Sequence, residues 1–155
     1  MKPDDITGKK PFDHKAPRAG VYPFYIDEDG AAQVYLMIPS KEKYGGKLPQ
    51  MGKGGIEEGE TAEAAAMREG HEELGLLASN VKNIYELADQ RVPTSRGGYQ
   101  LTVFVAEVFD PNDFEPHGYE AKWSGWVELD EAIKMSRKTQ RVFLEMLRDR
   151  EDVTD

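Results

Sequence analysis

The chain contains no cysteine. That excludes a disulfide framework and a thiolate metal centre. It has no run of about 18 apolar residues, so no membrane-spanning helix is expected and no membrane partner. The opening stretch MKPDDITGKKPFDHK lacks the apolar core of a secretory leader, so a cytoplasmic protein is expected. Positive charge is scarce: 20 Lys and Arg stand against 29 Asp and Glu, a net charge of −9. Such a chain repels a phosphate backbone, which disfavours nonspecific nucleic-acid binding. Small anionic substrates are not excluded, because a divalent cation can bridge an acidic site to a phosphate. Internal repeats and low-complexity tracts are also missing. A homodimer is left open.

What is present fits one globular unit. The 155 residues suffice for a hydrophobic core, and 39% hydrophobic with 32% charged residues is a folded profile. Residues 1–18 read as an N-terminal arm, 19–150 as a single domain and 151–155 as a C-terminal tail. AGVYPFYI, Ala19 to Ile26, is strand-like, with Pro23 suggesting a sheet edge or a bulge. A turn at IDEDGA leads to a second strand, Ala32 to Ile38. Ser40 to Gly55 reads as a long loop rich in Gly and Lys. Strands are predicted over Asn80–Gln90, Tyr99–Phe109 and Trp123–Leu129. Asp130 is expected to cap a short helix through Met135, and Thr139–Arg150 has the apolar spacing of an amphipathic helix. Strands, a helix, strands and then helices point to an α+β fold, a mixed β-sheet with helices packed on it.

The stretch Ala62 to Leu74 carries the chemistry. Thr61 is a suitable N-cap, Gly75 a suitable residue just past the end, and AEAAAMREGHEEL between them is helix-prone apart from Gly70. At about 100° per residue, Glu69, Glu72 and Glu73 fall in one sector with Ala62 and Ala65. Ala66, Met67, Gly70 and Leu74 form another face, suited to the sheet. Like charges one turn apart cost a few tenths of a kcal/mol, and acids at a helix C-terminus oppose its dipole. A hard divalent cation would reverse those penalties, because magnesium or manganese takes oxygen ligands. A solvated acidic face is the plainer reading of any Glu-rich helix.

The spacing sharpens the choice. Gly54, Glu60, Arg68-Glu69, Glu72-Glu73 and Gly75-Leu76 stand as in the pattern G-x5-E-x7-R-E-U-x-E-E-x-G-U, where U is apolar. This resembles the Nudix box, with one departure: Gly70 occupies an apolar position. Glycine there costs roughly 1 kcal/mol of helix propensity and forgoes a core side chain. WSGWVELDEA further on is similar to a stretch common near the C-terminus of such domains.

The resemblance implies the Nudix fold, an α/β/α sandwich around a mixed β-sheet. It implies hydrolysis of a nucleoside diphosphate linked to another group, with Mg2+ or Mn2+. Glu69 and Glu73 would be the main metal ligands, Glu72 would support them directly or through water, and the Lys53 carbonyl is a further candidate ligand. Gly54 and Gly55 would let that backbone come close. Glu60 would pair with Arg68. The general base is a box glutamate, Glu120 or Glu115; His71, read as pointing away from the acids, and His117 are weaker candidates. Lys47, Arg91 and Arg96 are loop bases suited to phosphate. Tyr99, Tyr44, Phe114 and Tyr119 could stack on a base, though core packing is commoner. Pro93, 17 residues past Leu76, is a feature of some ADP-ribose hydrolases. LPQMGKGGIEEGE partly matches a run in dinucleoside polyphosphate and RNA 5′-end hydrolases. The expected partner is a nucleotide-derived small molecule. The alternatives are an RNA 5′-end pyrophosphohydrolase, for which Lys41, Lys43 and Lys47 offer a local basic patch, and a non-catalytic nucleotide-binding module.

Overall fold

Residues of alternating orientation in Arg18–Ile26 (β1) set the architecture of the computed structural model, which describes residues 16–115 and 121–150. Ala19 and Val21 point to one apolar cluster, Tyr22 and Phe24 to another. A strand exposes successive side chains to opposite faces, so β1 is buried on both. The other strands are Ala32–Pro39 (β2), Gly52–Gly55 (β3), Val81–Val92 (β4), Tyr99–Val108 (β5) and Ala121–Glu128 (β6). The sheet runs β4-β5-β1-β2-β6, with β3 also paired to β1. Only the β1–β5 pair among these is parallel.

The helices are Ala62–Leu74 (α1), Leu129–Met135 (α2) and Lys138–Arg148 (α3). Ala65 and Ala66 of α1 share a core with Val21, Phe104 and Ala106. Leu129 and Ala132 of α2, and Phe143, Leu144 and Leu147 of α3, share the other with Tyr22, Phe24 and Val103. Helices therefore cover both faces of a mixed sheet, the expected α/β/α sandwich.

Pro23 is not at an edge. It lies between two pairings on one side of β1: Arg18–Val21 pairs with β3 and Phe24–Ile26 with β2. Proline lacks an N–H, and the change of partner is where a missing donor does least harm. The long loop also contains a strand, since GKGG forms β3. Glycine offers no strand-forming side chain, and pairing with β1 decides the matter. Asp130 lies inside the first turn of α2, whose N-cap is Glu128 without a side-chain cap bond. Ala65, placed by the helical wheel beside the acids, is fully buried.

Gly70 proves to be a packing requirement. A Cβ there would lie 2.7 Å from Val21 Cγ1 and 3.2 Å from Leu76 Cδ2. The helix approaches β1 too closely for any side chain. Gly70→Leu, which restores the apolar residue of the pattern, is expected to destabilise the domain by about 3 kcal/mol through overpacking, against roughly 1 kcal/mol gained in propensity. Urea unfolding checks it; an unchanged midpoint would show that α1 can move off the sheet.

Candidate active site

The site grows from the ends of α1. Thr61 Oγ1 accepts the Ala64 N–H at 3.1 Å, and Gly75, with φ of 78°, closes the helix on the carbonyls of Gly70 and His71. Those caps fix the phase of the helix and hence where its acids point. Glu69 and Glu73 lie on the side toward β3. Glu73 Oε2 accepts the Lys53 N–H at 2.8 Å, which clasps helix to strand. In an antiparallel strand the N–H and C=O of one residue share an edge, so the Lys53 carbonyl lies on the edge that Glu73 approaches. The Glu69 carboxylate lies against Gly54, where any Cβ would collide with it. Gly55 has open space around it, so the need for glycine is at 54.

Arg68 gathers the acids. Nε donates to Glu60 Oε2 at 2.8 Å, Nη2 to Glu60 Oε1 at 2.9 Å and to the Gly55 carbonyl at 2.9 Å, and Nη1 to Glu69 Oε1 at 2.7 Å. Glu57 and Glu72 stand 3.7 Å away. The hydrogen bonds to Glu60 hold Arg68 even more firmly protonated than usual, and those same bonds hold the Glu60 carboxyl below the ordinary carboxylate range. The pairing of Glu60 with Arg68 is thus as expected.

Among the described residues no three acidic or imidazole groups converge as they would around a bound cation. Glu69 faces Arg68, Glu73 faces the Lys53 N–H, and Glu72 is exposed. The donor set still suits a hard divalent ion in kind: three carboxylates and a carbonyl, all oxygen.

The side chain of Lys53 leaves the strand on the other face, where it adjoins Gly20. Withdrawal from water lowers its pKa to about 8; Glu73 and Glu69 pull it up, Arg137 and Arg18 push it down. Arg18 sits on the same face, one register step diagonal to Lys53, with its guanidinium 3.9 Å above the Tyr99 ring. Arg137 and Gln140 come from the start of α3; Gln140 accepts the Met51 N–H at 3.2 Å and the Tyr22 hydroxyl at 3.4 Å. Burial raises the Tyr22 phenol far above its usual pKa. Lys53 thus has its backbone at the carboxylates and its side chain on the face that bears Arg18. Sequence reading missed Arg18, Arg137 and the lysine side chain, because three distant segments supply them.

Other candidates are placed elsewhere. Lys47 is exposed and pairs with Glu42 Oε1 at 3.6 Å. Arg91 Nη2 bonds the Gly97 carbonyl across the β4–β5 turn and lines a cavity of about 350 Å³ with Pro93, Lys138 and Val142. The Tyr99 ring is buried under Arg18 rather than open to a base. Lys47 and Arg91 thus each meet a partner nearby in the chain, and the Tyr99 ring meets Arg18. Lys41, Lys43 and Arg96 are exposed. Phe114 stacks on Tyr35 with centroids 4.4 Å apart and meets Trp126 edge-on, so its ring is taken up in packing. Glu115 Oε2 is 2.8 Å from His71 Nε2, and its N–H donates to the Gly75 carbonyl. Glu120, His117 and Tyr119 lie outside the described residues, as does most of the N-terminal arm and all of the tail. Tyr44 ends a short 3-10 turn, Glu42–Tyr44.

The chain is similar to known proteins over most of its length. Residues 15–147 match the NUDIX domain. An RNA pyrophosphohydrolase of Dinoroseobacter shibae is 41% identical over 131 residues, covering 70% of this chain and 79% of that protein. The NUDIX domain of Shewanella oneidensis NrtR, solved with ADP ribose, superposes with a TM-score of 0.73 at 16% identity, over 97% of this chain and 99% of that one. A Caenorhabditis elegans Ap4A hydrolase in a binary complex gives 0.71 at 19% identity, over 86% and 96%. These two show a shared fold. With the box residues set along α1 and the domain matched over most of its length, the chain belongs to the Nudix family of hydrolases.

Proposed function

We propose that the chain hydrolyses the pyrophosphate linkage of a nucleoside diphosphate joined to another group, with Mg2+ or Mn2+ held by Glu69, Glu73, Glu72 and the Lys53 carbonyl. The observation that carries this reading is the placement of Lys53 between groups of opposite charge: its N–H meets Glu73 on the α1 side, and its side chain leaves on the strand face that bears Arg18. One side suits a metal and the other a phosphate. The ion, when bound, would neutralise phosphate oxygens and acidify water. Glu72 is open to solvent, and of the described box acids it has the freest access to a water proton. Glu115 is engaged by His71, and Glu120 remains a base candidate by resemblance. Arg68 holds Glu60 and Glu69 in position, and Lys53 and Arg18 would hold the substrate phosphates.

A second reading has its own support. The relative at 41% identity is an RNA pyrophosphohydrolase, which supports an RNA 5′ end as the alternative substrate.

The test is release of phosphate or nucleotide with magnesium from ADP-ribose, diadenosine tetraphosphate, NADH, flavin adenine dinucleotide, nucleotide sugars and 5′-triphosphorylated RNA. One class is expected to turn over, with the activity abolished by EDTA. No turnover of any of them, with metal shown to bind, would favour a binding module instead.

A further inference from the structure

Arg137 caps the N-terminus of α3, and its Nη2 is buried without a hydrogen-bond partner. A buried charged donor left unpaired is expensive, and such a group calls for an explanation. Its surroundings suggest one. A side chain on Gly46 would begin 3.3 Å from Nη2, so the guanidinium lies under the β2–β3 connection. Gln140, three residues on, holds the first turn of α3 to Met51 and Tyr22. That fixes Arg137 over the strand face bearing Gly20 and Lys53. Lys53, whose side chain lies on that face, is also a cation. Glu69 and Glu73 act on Lys53 from the α1 side of the sheet.

We propose that Arg137 binds a substrate phosphoryl group beyond the two that flank the bond being cut, so that chains of three or more phosphates are preferred. The pair undergoing hydrolysis belongs beside the glutamates of α1. Arg137 enters from the opposite face, and Lys53 spans the two, its backbone at Glu73 and its side chain toward α3. A further phosphate oxygen supplies the acceptor that Nη2 lacks, in the planar geometry a guanidinium favours. A dinucleoside polyphosphate and a 5′-triphosphorylated RNA share this chemistry. The substrate preference rests on the hydrolase reading; binding of the phosphate chain does not.

The experiment compares wild type with Arg137→Gln and Arg137→Lys. Calorimetry with Mg2+ present measures inorganic tripolyphosphate against pyrophosphate. Arg137→Gln is expected to weaken tripolyphosphate binding about tenfold and pyrophosphate far less, with Lys restoring part of it. The ratio of kcat/KM for diadenosine tetraphosphate or triphosphorylated RNA to that for ADP-ribose is expected to fall about tenfold through KM. Which of the two long substrates shows the drop identifies the source of the chain. The melting temperature is expected to hold or rise, because a buried N–H donor without a partner has been removed. Equal weakening toward both inorganic anions, or no change toward either, would overturn the proposal. So would a lowered melting temperature with binding intact, the mark of a structural arginine. Failure of every nucleotide to turn over, with Arg137-dependent tripolyphosphate binding intact, would overturn the hydrolase reading and leave this one standing.

Discussion

Replacing Glu73 by glutamine is expected to reduce turnover by on the order of 10³-fold while leaving the fold intact. The side chain has two tasks that the substitution separates. One is the clasp: Oε2 accepts the Lys53 N–H at 2.8 Å and ties α1 to β3. Glutamine keeps a carbonyl oxygen of the same reach, so the clasp survives. The other is charge. A divalent ion binds carboxylate far better than amide, and a phosphoanhydride cannot approach an acidic cluster that holds no cation. The loss should therefore fall mainly in kcat, and raising Mn2+ should recover part of it. Kinetics on the substrate found in the panel, beside a thermal melt, make the measurement. Retention of activity within about tenfold would reduce Glu73 to a clasp.

Arg68→Leu is expected to cost about 3 kcal/mol of stability and to impair catalysis as well. The guanidinium bonds Glu60 twice and Glu69 and Gly55 once each. Glu60 and Glu69 are mostly covered, with side chains 16% and 13% exposed. Leucine leaves two carboxylates facing each other with no cation between them. Their residual exposure keeps the penalty below that of a deeply buried pair. The network also gives a pH signature. Arg68 lowers the Glu60 pKa in the folded state. A depressed carboxyl contributes stability that is complete above its unfolded value, near 4.5, and is lost as pH falls through the folded one. Wild type should therefore weaken below about pH 4.5, and Arg68→Leu should lack that part of the slope. Urea titrations from pH 3 to 7 separate the two. A cost under 1 kcal/mol would mean that these pairs behave as solvated surface charges.

Legibility in the sequence followed the range of the forces involved. Thr61, Gly75 and the alanines between them specify α1 locally, and caps and propensity act within a few residues. The strands with alternating or β-branched residues were readable for the same reason. β3 was not, because Gly52–Gly55 is a strand only by virtue of its register with Arg18–Val21. Pro23 misled because its meaning depends on where β3 ends and β2 begins against β1. Gly70 looked like a local weakness until Val21 was seen beneath it. The acidic half of the site comes from one helix and could be read from spacing. The basic half draws on β1, β3 and α3, and no periodicity links Arg18, Lys53 and Arg137. Lys47, Arg91 and Tyr99 were chosen by residue type alone, and their contacts with Glu42, Gly97 and Arg18 were not readable from spacing.

The parallel pairing of β1 with β5 also bears on how the chain is made. Gly20 lies opposite Val103, and Val21 opposite Phe104. A ribosome delivers β1, β2, β3 and α1 long before β5 emerges. The antiparallel pairings with β2 and β3 close over short stretches and can form at once. The other edge of β1 waits, and the surface on which Gly70 rests is half built until Phe104 arrives. Folding is therefore paced by the synthesis of β5. A nascent chain stalled before about residue 100 presents an apolar edge strand to its neighbours, the template for misassociation that the finished sheet conceals.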